Sequence, residues 1–145
     1  MPVVSYACVS ENPPMVVVGC SPKSFTYELS TKSGAFSLCV LDRRRSSAIA
    51  ELAVKSGREV TDKLKEAGIE HTEGARLSVP VIVGAEATLE CKVTEKKRVG
   101  DHDVLFGQVK ACYSSGNFDG FWDFRKYRPV LYTGWREGMT TYGGS

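Results

Sequence analysis

A mainly β domain with a few short helices is predicted for this chain, and three observations predict it. Runs of β-branched and aromatic residues recur between turn signals, at Val3–Val9, Met15–Cys20 and Phe36–Leu41. Two longer runs, Ala85–Lys97 and Val104–Tyr113, flank Gly100-Asp101 and read as an antiparallel pair joined there. Helical periodicity is confined to short stretches. Many strands with few inserted helices point to a closed or partly closed β-barrel.

Taken in order, Asn12-Pro13-Pro14 turns the first strand into the second. The second, Met15-Val16-Val17-Val18-Gly19-Cys20, runs into Ser21-Pro22-Lys23-Ser24-Phe25-Thr26, which opens a helix. Ser21 is expected as its N-cap and Pro22 at the first helical position, where a missing N–H costs nothing. After the Phe36–Leu41 strand, Ser46–Lys55 sets Ala48, Ile49, Leu52 and Ala53 on one helical face. A shorter helix is expected over Thr61–Ala67, stopped by Gly68. The long strand pair follows, then a last strand over Val130–Thr133. There is no internal repeat and no low-complexity linker, so residues 1–145 read as a single domain. With 145 residues, 42% of them hydrophobic, such a domain buries roughly 70% of its unfolded surface.

The net charge of +2 demands neither nucleic acid nor an acidic membrane as partner. No apolar run approaches the roughly 20 residues of a spanning helix. The start, Met1-Pro2-Val3-Val4-Ser5, has no basic region ahead of an apolar stretch, which argues against a signal peptide. A cytoplasmic location is expected. The five cysteines, Cys8, Cys20, Cys39, Cys91 and Cys112, are odd in number and widely spaced, without a C-x-x-C pair. They read as reduced, mostly buried thiols, and no metal site is expected from them.

Two segments carry candidate chemistry. Ser21 to Thr26 follows a strand and opens a helix, where orphan N–H groups and the positive end of the helix dipole favour an anion. Ser56-Gly57-Arg58-Glu59-Val60-Thr61-Asp62-Lys63 adds a planar guanidinium and a mobile ammonium after a flexible Ser-Gly. Neither is a Walker or dinucleotide fingerprint. Together they are equipment for one ligand phosphate.

The order "ENPPMVVVGCSPKSFTYELSTKSGAFSLCVL", "SGREVTDKLKEAGIEH", "LECKV" and "GDHDVLFGQV" resembles the flavin reductase-like family of FMN-binding split barrels, over about Met1 to Tyr132. That family includes flavoredoxins and the flavin-reductase components of two-component monooxygenases. The resemblance implies a Greek-key split β-barrel, FMN as cofactor and NADH or NADPH as electron donor. It sets Ser21, Lys23, Thr26, Ser56, Gly57, Arg58 and Lys63 at the FMN phosphate and ribityl chain. It runs Tyr6, Ala7, Cys8, Val9 and Ser10 along the isoalloxazine, largely through backbone groups, with Cys20 leading into the phosphate loop. His102, in Gly100-Asp101-His102-Asp103, is the catalytic candidate: it would position a nicotinamide on the open face of the flavin. Relatives open with a further strand around an Arg-Pro, whereas this chain begins inside that pattern. A missing barrel strand or a start further upstream is therefore expected. An exposed edge of that kind favours a homodimer, and an electron-acceptor protein or monooxygenase component is an expected partner.

Other features read blandly or open alternatives. Arg43-Arg44-Arg45 is basic enough for a 2′-phosphate of NADPH, but a charge run entering a helix is usually a solvated face. The stretch Phe118–Tyr127 interleaves Phe121, Trp122, Phe124 and Tyr127 with Arg125 and Lys126, a pattern that stacks and neutralises single strands. A lid or subunit contact suits its near-neutral surroundings better. Asp62 and Glu90 make no acid–base pair, and His71 has no assigned task. Two alternatives to a flavin reductase stand at this point: an FMN-binding module without reductase activity, and a nucleic-acid-binding β-barrel.

Overall fold

The computed structural model describes residues 1–116, 118–119, 121–134 and 138–141, with side chains described for 1–116 and 123–130. Strands β1 (Tyr6–Glu11) and β2 (Pro14–Cys20) pair antiparallel across Asn12-Pro13, whose peptide bond is cis. There follow α1 (Phe25–Ser33), β3 (Ala35–Val40), a 3-10 turn over Arg43–Arg45, α2 (Ser46–Val54) and α3 (Lys63–Glu66). A small ribbon joins β4 (His71–Glu73) to β5 (Pro80–Ile82), and β6 (Ala87–Val99) with β7 (His102–Ser114) makes the long hairpin. Two short pairs complete the described chain: β8 (Phe118–Asp119) with β9 (Phe121–Trp122), and β10 (Val130–Gly134) with β11 (Gly138–Thr141).

The main sheet has five antiparallel strands in the order β1-β2-β7-β6-β3. Strand alternation explains the core. Val16, Val18 and Cys20 of β2 are buried and stand opposite Gly107, Leu105 and Asp103 of β7, so one face of both strands turns inward. Val3, Tyr27 and Phe36 pack onto Val18, Cys20 and Leu105. The expected barrel is not closed into one continuous ladder: among the described residues β1 and β3 are edges of the five-stranded sheet.

The first helix corrects one expectation. Ser24, not Ser21, is its N-cap: Ser24 has extended backbone angles, and its Oγ accepts the N–H of Tyr27. The Ser24 N–H donates to the Ser21 carbonyl at 3.0 Å, so Ser21–Ser24 is a closed turn. Pro22 sits second in that turn, a position its fixed φ also suits. At the other end Gly34 adopts φ 71° and closes the helix on the Ser30 carbonyl.

Buried carboxylates tie the loops to the sheet. Asp42 accepts the N–H groups of Arg44 and Arg128, both at 2.9 Å, and the Arg44 Nε at 2.6 Å. Arg44 also lies 3.5 Å from Glu86, and Arg45 donates to the Val83 carbonyl. Arg44 and Arg45 thus hold segment 83–86, while Asp42 and the Arg43 N–H hold Arg128. Glu90, fully buried in β6, accepts the N–H groups of Ala75, Arg76 and Leu77 at 2.7, 3.0 and 2.7 Å, and the Tyr113 hydroxyl at 3.2 Å. Burial pushes its carboxyl up, but the N–H groups of Leu77, Arg76 and Ala75 outweigh this and hold it below the ordinary range.

All five cysteines are free. Cys20 and Cys91 are buried, Cys39 is half-buried, and Cys8 and Cys112 are exposed. Burial first, then the neighbouring Cys112 and Cys8 thiols, push Cys91 to about 12, which leaves it an inert apolar side chain. Among the described residues no group of three His, Cys, Asp or Glu is placed to hold a metal ion. No described helix is long and apolar enough to cross a membrane.

Candidate functional site

The two segments singled out in the sequence meet in the fold. Arg58 donates through Nη1 to the Lys23 carbonyl at 3.1 Å and through Nη2 to Glu28 Oε2 at 2.7 Å. Its guanidinium carbon stands 5.1 Å from the centroid of the Phe25 ring, within cation–π reach. Gly57 is required by this approach: a Cβ there would meet Phe25 at 2.9 Å. The turn after β2 and the turn after α2 are therefore packed together by one arginine and one glycine.

The hydroxyls are arranged to leave donors available. Ser21 Oγ accepts the Lys23 N–H at 3.3 Å, and Ser56 Oγ accepts the Arg58 N–H at 3.2 Å. Each hydroxyl spends a lone pair on its own turn and keeps its O–H for another acceptor. Lys23 is exposed and its ammonium has no hydrogen-bond partner among the described residues. Thr26 is half-buried, second in the helix. The donor set is thus two hydroxyls, a guanidinium and an ammonium, which matches the several acceptor oxygens of a phosphate monoester. Among the described residues Glu28 is the one carboxylate on the guanidinium.

Lys63 stands further off, at the start of α3, capped by Asp62. Burial draws its pKa down, against the pull of Glu59. Burial first, and then the charge of Lys63, draw the pKa of the Met1 amino group down. Cys20 itself, the last residue of β2 before the turn, is buried against Val18 and Leu105.

The stretch Tyr6–Ser10 is divided by the strand's length. Tyr6 pairs with Val18, and the Ser5 carbonyl accepts the Gly19 N–H at 2.7 Å, so this end adjoins the turn. Ser10 pairs with Met15, about 13 Å further along at 3.3 Å per residue. Because β1 is an edge, its ladder runs on one side only, and its other side offers backbone N–H and C=O groups to a ligand.

His102 is half exposed at the tip of the β6–β7 hairpin, with Nδ1 2.8 Å from Asp101 Oδ1. A carboxylate only accepts, so Nδ1 carries the proton and Nε2 is left as the free ring nitrogen. The hydrogen bond from His102 comes first among the causes that hold Asp101 below the usual range, and Lys23 adds its charge. Cys20 stands opposite Asp103 in the β2–β7 ladder, so the hairpin tip and the Ser21–Ser24 turn lie at the same end of the sheet. Asp103 has a different environment: it is buried and accepts the Tyr27 hydroxyl at 2.5 Å and the Arg98 Nε. Sequence reading had treated it only as a neighbour of His102.

Other candidates fall away from this region. A cleft of about 330 Å³ lined by His71, Thr72, Glu73, Ser78, Val79 and Pro80 includes none of the turn residues. The same holds for one of about 320 Å³ lined by Asp42, Arg44, Arg45, Gly84 and Glu86. In the aromatic stretch, Tyr127 is buried while Arg125 and Lys126 both turn onto Asp123. The side chains of Phe121 and Trp122 lie outside the described residues.

A family model described as "Flavin reductase like domain" matches residues 1–131. An uncharacterized protein of Aeropyrum pernix is 35% identical over 126 residues, covering 86% of this chain and 48% of that protein. This chain thus spans about half the length of that relative. Among solved structures, an FMN-binding protein from Thermus thermophilus superposes with a TM-score of 0.81 at 32% identity, over 97% of this chain and 76% of that one. A flavoredoxin from Methanosarcina acetivorans gives 0.84 at 26% identity, over 99% and 76%. The architecture is that of these split-barrel proteins.

Proposed function

Because this chain belongs to the flavin reductase-like family, we propose that it binds FMN and acts as an NAD(P)H-dependent flavin reductase or a flavoredoxin-like electron carrier. The observation that carries this reading is the junction at Arg58, which joins the Ser21–Ser24 turn to the Ser56–Arg58 turn and assembles a donor set fitted to a phosphate monoester. Ser21, Lys23, Thr26, Ser56, Gly57 and Arg58 hold that phosphate, and Lys63 adds positive potential. Tyr6, Ala7, Cys8, Val9 and Ser10 present backbone groups along the ring system, with Cys20 leading into the turn. FMN, when bound, supplies the hydride and electron chemistry, and the protein supplies binding, orientation and electrostatics.

His102 orients the nicotinamide of NADH or NADPH, with its ring fixed by Asp101. A second copy of the chain covering the β1 edge would account for the exposure of Val4, Tyr6 and Val9. Electrons then pass to an acceptor protein or a monooxygenase component.

Titration of the folded protein with FMN, followed by anaerobic NADH and then NADPH, tests the reading. The flavin absorbance bands are expected to shift on binding and bleach with the preferred donor. Bands that shift without bleaching would make the protein a carrier reduced by something else, and an unshifted spectrum would sink the proposal. His102→Ala is expected to leave the FMN affinity within about twofold while slowing bleaching by about tenfold; an unchanged rate removes His102 from the nicotinamide face.

A further inference from the structure

Helix α1 carries the phosphate turn, yet little apolar burial holds it. Ser30 is its one buried residue, Leu29 is half exposed, and Phe25 and Tyr27 are only partly covered. A surface helix is ordinarily fixed by an apolar stripe on the core. Here the first turn adds polar contacts to the packing of Tyr27 on the core: Arg58 on Lys23 and Glu28, and the Tyr27 hydroxyl on Asp103.

Asp103 is well placed to act at a distance. It is 6% exposed, stands directly opposite Cys20 in the β2–β7 ladder, and follows His102 in the chain. One carboxylate oxygen takes the Tyr27 hydroxyl and the other takes the Arg98 Nε from the opposite arm of the hairpin. Tyr27 also donates its backbone N–H to the N-cap Ser24. A chain of three residues, Ser24, Tyr27 and Asp103, therefore runs from the cap of α1 to the start of β7, and its ends adjoin Lys23 and His102.

We propose that Asp103 is a positioning residue: through Tyr27 it sets the turn that receives the phosphate, and through Arg98, its partner across the β6–β7 ladder, it fixes the hairpin beside His102. This rests on the FMN reading above and adds to it. One buried carboxylate keeps the phosphate end of the cofactor and the nicotinamide end of the donor in a fixed relation. Asp103 touches neither ligand.

The test compares FMN with riboflavin, which lacks the phosphate, on the full chain. Tyr27→Phe keeps the ring packing and removes one hydroxyl, so the fold is expected to survive. It is expected to weaken FMN by about fivefold and riboflavin by less than about twofold. Arg98→Ala is expected to leave the FMN-to-riboflavin ratio unchanged and to slow reduction at saturating FMN by about fivefold. Asp103→Asn is expected to show both effects. If Tyr27→Phe lowers the melting temperature while the ratio stays at the wild-type value, Asp103 is a structural group only and the proposal is overturned. Arg58→Ala separates the two readings: a ratio that Arg58→Ala changes and Tyr27→Phe does not defeats the role of Asp103 alone. A ratio that neither changes defeats the phosphate assignment as well.

Discussion

Replacing Arg58 by alanine is expected to weaken FMN binding by about 10- to 100-fold, the loss of one charged hydrogen-bonding group worth ~1.5–3 kcal/mol, and to leave riboflavin close to its wild-type affinity. Two effects combine in that loss. On the proposed reading the guanidinium donates directly to the phosphate, and it also braces the Ser21–Ser24 turn through the Lys23 carbonyl. Arg58→Lys keeps the charge but not the fork, so an intermediate loss is expected. Lys63→Ala should have a smaller effect, about threefold, because Lys63 acts through space. Salt should shrink all of these differences. Isothermal titration with both flavins at two ionic strengths is the measurement, and equal losses for FMN and riboflavin would take the phosphate out of this turn.

Glu90→Gln is expected to cost about 3 kcal/mol of stability at neutral pH, measured as a lowered urea midpoint at constant slope. The carboxylate accepts three backbone N–H groups in a space without room for adjustment: a Cβ on Gly74 would come within 2.6 Å of its Oε2. Glutamine keeps the volume but turns an NH2 donor onto donors. The pH dependence follows from the direction of the shift. The folded-state pKa of Glu90 is depressed, so its contribution is present above the unfolded value of about 4.3 and is lost as pH falls through the folded one. The gap between wild type and Glu90→Gln should therefore narrow in acid. Coincident urea curves at pH 7 would show that segment 75–77 is not held by this carboxylate.

What the sequence made legible was local. The Gly100-Asp101 hairpin was readable because a turn pair sat between two β runs, and β6 and β7 meet there within a few residues of the expected ends. Helix α2 was readable because Ala48, Ile49 and Leu52 repeat at helical spacing, and it ends at Val54, one residue early. The N-cap was misplaced because Ser21 and Ser24 are both good caps, and the choice turned on a hydrogen bond that closes Ser21–Ser24. Strands β4 and β5 were missed because three residues carry too little pattern. Glu90 and Asp103 look like solvent-facing charges in any alternating strand, and only the folded chain brings them their donors. The candidate phosphate residues were legible as two separate turns; their junction at Arg58 was not, since Glu28 is 30 positions away.

The junctions that build the site are all long in sequence. Arg58 reaches back 35 residues to Lys23, and Asp103 reaches back 76 to Tyr27. The entropy of closing such loops must be met before any of these contacts forms, and it grows with the logarithm of their length. A hairpin such as β6–β7 carries its own local pairing, but no short fragment of the chain holds both turns, the α1 cap and the hairpin tip. Competence to grip the ligand is therefore a property of the completed topology, and it appears and disappears with the cooperative fold as one event.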